Sequence, residues 1–185
     1  MVTIEVDENI MLRSYKPADA AALFTALDDS RPRLHPWLAW VDATTRPAHS
    51  QQFIEQSLQR LECQEGLDMG IFYNGQVIGG LGMREWQHDL KRAQIGYWIA
   101  TDFEGKGIVR RSLIKFIDFL FDKLSLNKLE IHFVPANKRS ASLPRLLGFT
   151  IEGVIRQSTL RNGMPDDTVI AGMLRSEWTS KRPAD

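Results

Sequence analysis

With 185 residues, of which 43% are apolar and 25% charged, the chain is long enough for one hydrophobic core and short for two, which excludes a disordered or fibrous polymer. Lys plus Arg and Asp plus Glu balance at 23 each, unlike the basic excess of a protein that wraps nucleic acid. The balance is uneven along the chain: residues 1–90 hold 7 basic and 13 acidic residues and residues 91–185 hold 16 and 10, so a polyanion suits the second part and a cationic substrate the first.

In chain order, residues 9–15 read as a short strand. Pro17 suits the first turn of a helix, where its missing N–H costs nothing, and Ala20, Leu23, Phe24 and Leu27 give that helix an apolar face. Two prolines keep the segment from Arg31 to Trp40 from being a regular helix. A second helix is expected from about residue 48 to Cys63, with the cysteine as a partly buried small hydrophobe. Strands at 67–73 and 76–83 flank Asn74-Gly75, a pair suited to a type I′ hairpin turn, and a third strand at 91–100 completes an antiparallel meander. Val109, Leu113, Phe116, Ile117, Leu120 and Leu124, spaced by 4, 3, 1, 3 and 4, predict a long amphipathic helix. A strand at 129–134, a short helix at 137–147 ended by Gly148, and a strand pair at 149–159 and 167–174 follow, so the strands near 95 and 131 should run parallel through a βαβ crossover. The expected fold is α+β, a single domain over residues 1–178 with a mixed, mostly antiparallel twisted sheet and flanking helices; residues 179–185 read as a polar tail.

Cys63 is the single cysteine, so a reducing compartment is expected. The opening MVTIEVDENIML has neither a basic leader nor an export-length apolar run, and no apolar stretch approaches the roughly 18 residues of a membrane span. A cytoplasmic location follows as the expectation.

The strongest chemical signal is Glu104-Gly105-Lys106-Gly107-Ile108, between a strand and an amphipathic helix. Two glycines allow several backbone N–H groups to point into one concavity, and the helix start adds unpaired donors and a positive dipole end, a geometry that holds a diphosphate. Neither the Walker spacing nor the dinucleotide fingerprint is present, since Arg110 stands where the latter needs its third glycine. A tight turn that binds nothing fits the same residues, although Arg110 and Arg111 favour an anion. No pair among His35, His49, His88 and His132 has metal-ligand spacing, so no metal is expected, and no Gly-x-Ser-x-Gly elbow is present.

Taken together, Leu12-Arg13 with Asp19-Ala20, His35-Pro36-Trp37-Leu38-Ala39-Trp40, Val77-Ile78-Gly79, Ile95-Gly96-Tyr97-Trp98-Ile99 running into the glycine loop, Asn137-x-x-Ser140, Leu147-Gly148-Phe149 and Glu152-Gly153 cover nearly the whole chain in a fixed order. In that order the chain resembles a GNAT-fold N-acetyltransferase, of the branch that acetylates ribosomal-protein alanine and serine N-termini. The resemblance implies acetyl-CoA as cofactor, coenzyme A as product, and a notch between two parallel strands that splay apart near residues 97 and 131. It implies that the cofactor arm pairs with the backbone of Trp98, Ile99 and Ala100 and the diphosphate with Gly105, Lys106, Gly107, Ile108, Val109 and Arg110, while Asn137 contacts the arm near the sulfur. The family pattern of Gln or Arg, two residues, Gly, one residue, then Gly or Ala falls here on Glu104, Gly107 and Val109. Glu104 is unfavourable beside a diphosphate unless it points away.

Acetyl transfer to an amine needs a proton acceptor, donors for the developing oxyanion and a group that stabilises the departing thiolate. Backbone N–H groups near Trp98 or Ile99 suit the second role, and Ser140, three residues after Asn137, suits the third or else serves as a helix cap. Pro144 cannot donate to the Ser140 carbonyl, so that helix should begin irregularly. Glu85 is the candidate base, with His88 beside it; water relays would serve as well. Trp37 and Trp40 border the acceptor site in resembling enzymes, or plug the N-terminal helices onto the sheet. The acceptor is expected to be a protein or peptide N-terminus, such as that of a ribosomal protein. Alternatives are a polyamine or aminoglycoside amine, and a non-catalytic acyl-CoA sensor. Lys138-Arg139 with Arg110-Arg111 give the weaker nucleic-acid reading, which the charge balance opposes, and a homodimer stays open.

Overall fold

The computed structural model describes residues 1–181. Strand β1 (Thr3–Glu5) pairs with β2 (Ile10–Ser14); three residues are too few to carry a periodic signal, and the sequence gives no sign of β1. A 3₁₀ turn at Pro17–Asp19 leads into α1 (Ala20–Asp29). The proline-bearing segment forms two one-turn helices, α2 (Arg31–Leu34) and α3 (Trp40–Ala43), instead of one continuous helix. Helix α4 (Pro47–Glu62) starts on its proline, and Cys63 beyond its end is exposed, not partly buried. The hairpin β3 (Leu67–Tyr73) and β4 (Gln76–Gln87) turns through Asn74 and Gly75 at φ 48° and 82°, as a type I′ turn requires. Then come β5 (Arg92–Ile99), α5 (Ile108–Asp122), β6 (Lys128–Phe133), α6 (Lys138–Leu146), β7 (Thr150–Arg161), β8 (Met164–Leu174) and α7 (Arg175–Lys181). Helix α7 crosses residue 178 and takes up Thr179 and Ser180, which the sequence assigned to a tail; Glu177 accepts from the Leu174 amide and the Trp178 indole donates to Asp118 of α5 at 2.7 Å. Residues 182–185 of that expected tail lie outside the described residues.

Among the described residues the sheet has eight strands in the order β1-β2-β3-β4-β5-β6-β8-β7, and only β5 and β6 are parallel. The expected mixed sheet and crossover are both present. One face is covered by α5 and α7, whose Leu113, Phe116, Ile117, Leu120 and Trp178 pack on Met69, Ile71, Ile95 and Ile131. On the other, Leu23, Leu27, Val41 and Ile54 of α1, α3 and α4 pack on Tyr15, Phe72 and Val77. Each fully buried Leu, Ile or Phe contributes about 1.5–3 kcal/mol, so both layers are firmly seated.

The helical layer is pinned at its start by Asp19, which takes both arms of the Arg13 fork at 2.7 and 2.8 Å and the Lys16 amide at 2.7 Å, while Arg13 lies 3.7 Å from the Phe72 ring centroid. Burial works against the Asp19 charge, yet the Arg13 and Lys16 hydrogen bonds prevail and hold its carboxyl below the ordinary 3.8. A depressed folded value means stabilisation that is complete above the unfolded pKa and lost as pH falls through the folded one. We therefore expect Asp19→Asn to cost about 2 kcal/mol at neutral pH. Urea unfolding should show this deficit shrinking below pH 3.8.

Candidate functional site

Strands β5 and β6 pair from Arg92↔Lys128 to Ile95↔Ile131 and then part, although β5 continues to Ile99 and β6 to Phe133. Arg92 holds Glu130 at 2.9 Å across the closed end. At the open end β5 keeps β4 on one side and, among the described residues, has no strand on the other. Ala100 donates its amide to Ile78 of β4 at 2.7 Å, so by the alternation of an antiparallel ladder Ile99 and Tyr97 turn their backbone groups into the gap. Of Trp98, Ile99 and Ala100, only Ile99 has its amide on that side.

The glycine loop tops this gap. Gly105 and Gly107 have φ of 75° and 69°, the left-handed region where only glycine is unstrained, and Gly107 caps α5 without a side chain. The N–H groups of Gly105, Lys106, Gly107, Ile108, Val109 and Arg110 find no acceptor among the described residues. Those from Gly107 to Arg110 are the orphan donors of a helix start with its dipole behind them, and Gly105 and Lys106 extend the row into the loop. Glu104 turns away from them: its carboxylate is shared by Arg139 of α6 and Arg33 of α2. The loop thus meets the condition that the sequence set for a diphosphate.

Helix α6 closes the far side. Asn137 caps it, its Oδ1 accepting from the Ser140 amide at 3.2 Å. Ser140 is half-buried, and the Tyr97 hydroxyl stands 3.2 Å from its carbonyl oxygen and 3.3 Å from its Oγ. Burial pushes the Tyr97 hydroxyl up to about 12, against the Ser140 hydrogen bond, so it stays protonated.

On the opposite sheet face a cavity of about 1020 Å³ runs between α1, α3, α4 and β4–β5. Gly80, Gly82 and Gly96 share the face of Trp98 on its floor, with Gly80 paired to Trp98 and Gly82 to Gly96; Trp98 and Tyr15 cover Gly80, Asp68 covers Gly82, and the floor is open at Gly96. A side chain at Gly80 would strike Trp98 and Tyr15, whereas one at Gly96 would enter free space. Asp68 lies at one end between Arg60 and Arg84, at 2.7 and 2.8 Å. Glu85 lines the cavity from the β4 bulge with φ 51°, and Trp40, 46% exposed, lines it from α3. Trp37 stands apart from this lining, beneath Arg161 of β7 at 5.7 Å, and His88 stacks on Trp86 with Nε2 2.8 Å from the Gln64 carbonyl oxygen. Among the described residues no cluster of His, Cys, Asp or Glu could hold a metal, and no helix is long and apolar enough to cross a membrane.

Residues 9–150 match the acetyltransferase (GNAT) domain family. The chain belongs to the GNAT acetyltransferase family. As a GNAT protein it is an acetyl-CoA-dependent enzyme that transfers acetyl to an amine and releases coenzyme A. It is similar to YdaF of Bacillus subtilis (strain 168), provisionally named a ribosomal N-acetyltransferase, with 31% identity over 183 residues, 98% of this chain and 100% of that one. The [ribosomal protein uS5]-alanine N-acetyltransferase of Escherichia coli (strain K12) is 30% identical over 88 residues, 48% of this chain and 45% of its own. The solved structure of the microcin C7 self immunity acetyltransferase MccE, in complex with acetyl-CoA and AMP, shares 27% identity at a TM-score of 0.87, covering 91% of this chain and 94% of that one.

The sequence missed three parts of this candidate site. Tyr97 was legible as a strand residue and not as the partner of Ser140, although Pro144 signals a carbonyl in need of a donor. Arg33 and Arg139 neutralise Glu104 from 71 and 35 residues away, which no local pattern reveals. The three glycines of the cavity floor are scattered in sequence and meet only through strand register.

Proposed function

We propose that this GNAT enzyme acetylates the N-terminal amine of a protein or peptide, a ribosomal protein being the acceptor class that the YdaF and uS5 relatives suggest. The observation that carries this reading is the glycine-floored cavity: at about 1020 Å³ it stands at the upper end of small-molecule pockets and accommodates a peptide end. Two buried polar atoms on α4, Ser50 Oγ and Arg60 Nε, lack partners among the described residues, and Ser50 and Arg60 both line the cavity. Leaving such groups unpaired costs about 1–3 kcal/mol each, which a polar acceptor would offset.

The amides of Gly105, Lys106, Gly107, Ile108, Val109 and Arg110 hold the diphosphate, and the strand edge at Trp98, Ile99 and Ala100 aligns the pantetheine arm, with Ile99 presenting the free amide. Bound there, acetyl-CoA supplies the acetyl group as a thioester. Asn137 fixes Ser140 through its amide, and the Ser140 hydroxyl donates to the departing sulfur. Trp40 and Glu85 bound the acceptor channel, with Glu85 taking the amine proton directly or through water, while Trp37 lies outside this lining under Arg161.

Steady-state assays with N-terminal peptides beside polyamines and aminoglycosides test the reading. Ser140→Ala should lower kcat for peptides by about 10²-fold without changing coenzyme A affinity. Turnover of the small amines alone would turn the assignment to a small-molecule enzyme, and coenzyme A binding with no product from any amine across pH would make the chain a sensor.

A further inference from the structure

The α6 helix contains Pro144, four residues after Ser140. In an unbroken helix the N–H of residue 144 would bond to the carbonyl of residue 140, and proline has no N–H to give. That leaves the half-buried Ser140 carbonyl without the donor of its own helix, in the first turn of α6. The Tyr97 hydroxyl stands 3.2 Å from this oxygen, the same group that stands 3.3 Å from Ser140 Oγ. Tyr97 sits two residues past the last parallel pair, Ile95↔Ile131, where β6 has already left β5, so its side chain is what bridges the opening. Asn137 holds the other end of the same residue through the Ser140 amide. Ser140 is therefore gripped at its N–H by its own helix cap and at its C=O by a residue from across the notch.

We infer that Tyr97 is a positioning residue for acetyl transfer: its hydroxyl stands in for the donor that Pro144 lacks on the Ser140 carbonyl, and so sets the Ser140 hydroxyl at the notch. The proline is a working part of this arrangement. It frees a carbonyl that an ordinary helix would close internally, and the freed carbonyl ties α6 to β5. One proton on Tyr97 serves one acceptor at a time, so while it donates to the carbonyl, the Ser140 hydroxyl can donate to Tyr97 Oη and is held ready to turn. The inference rests on the role given above to Ser140, and two separate readouts keep the two apart.

The first readout is amide hydrogen exchange across residues 138–147 of the free protein. Tyr97→Phe should speed exchange there by about tenfold, from loss of one hydrogen bond to an otherwise orphaned carbonyl. Adding Pro144→Ala supplies the missing N–H and should return exchange toward the wild-type rate. The second readout is kinetic. Tyr97→Phe should lower kcat about tenfold with the KM for acetyl-CoA within about twofold, Pro144→Ala should recover part of that loss, and the Tyr97→Phe/Ser140→Ala double variant should be no slower than Ser140→Ala alone. Unchanged exchange in Tyr97→Phe, or losses from Tyr97→Phe and Ser140→Ala that multiply, overturn the inference. Full kcat in Ser140→Ala instead removes the role of Ser140 in the reaction, and with it the kinetic half of the inference.

Discussion

Replacing Gly107 with valine is expected to reduce coenzyme A affinity by at least about 30-fold while costing the fold only about 1–2 kcal/mol. Gly107 caps α5 at φ 69° and ψ 6°, a conformation that a β-branched residue resists. A Cβ there would also approach Arg111 Nη1 to 3.3 Å, and Arg111 braces the loop by donating to the Lys106 carbonyl at 3.2 Å. The valine variant relieves strain by rotating the loop out of the left-handed region, which scatters the amides from Gly105 to Arg110. Because those amides have no internal acceptors, the fold loses few bonds and the ligand loses most of its own. Titration calorimetry with coenzyme A, paired with a urea melt, separates the two effects. A variant that binds coenzyme A as tightly as wild type would show that the phosphates are held elsewhere, and the assignment of this loop would fall.

The contrast between this loop and the rest of the site explains what sequence can carry. Gly105 and Gly107 act through their own backbone, and the helix they start is visible in the spacing of Val109, Leu113 and Phe116, so the loop and the role proposed for it are read from local residues. The hairpin at Asn74-Gly75, the α5 stripe and the parallel relation of β5 and β6 were legible for the same reason. Glu104 shows the limit. Its charge reads as an objection to a diphosphate until Arg33 and Arg139 are brought to it, and those contacts depend on how α2 and α6 pack around the loop. Pro144 shows a halfway case: the missing donor to Ser140 is read from the residue type, but the tyrosine that answers it is 43 residues upstream of Ser140. Strand β1 and helix α7 escaped because three and seven residues are too short for a periodic pattern, and both are held by tertiary contacts such as Trp178 to Asp118.

Gly96 gives the second large effect, and on the opposite substrate. In a central strand a glycine is weaker than alanine by about 0.5–1 kcal/mol, so an unforced glycine there suggests that its emptiness is used. Gly96 has no positive φ, and a Cβ at this position would meet nothing within 4 Å. Its α-carbon lies on the cavity floor beside Trp98, one residue past the last parallel pair of β5 with β6. Gly96→Leu should therefore fold at least as stably as wild type and bind coenzyme A unchanged, yet lose about 10²-fold or more in kcat/KM for an N-terminal peptide, because leucine fills the place where the amine must approach. The same substitution discriminates between acceptors: a slender polyamine end passes a partly filled channel more easily than a peptide backbone, so its kcat/KM should fall less. Undiminished peptide acetylation by a well-folded Gly96→Leu protein would mean that the acceptor does not travel through this cavity, and the peptide reading would lose its physical support.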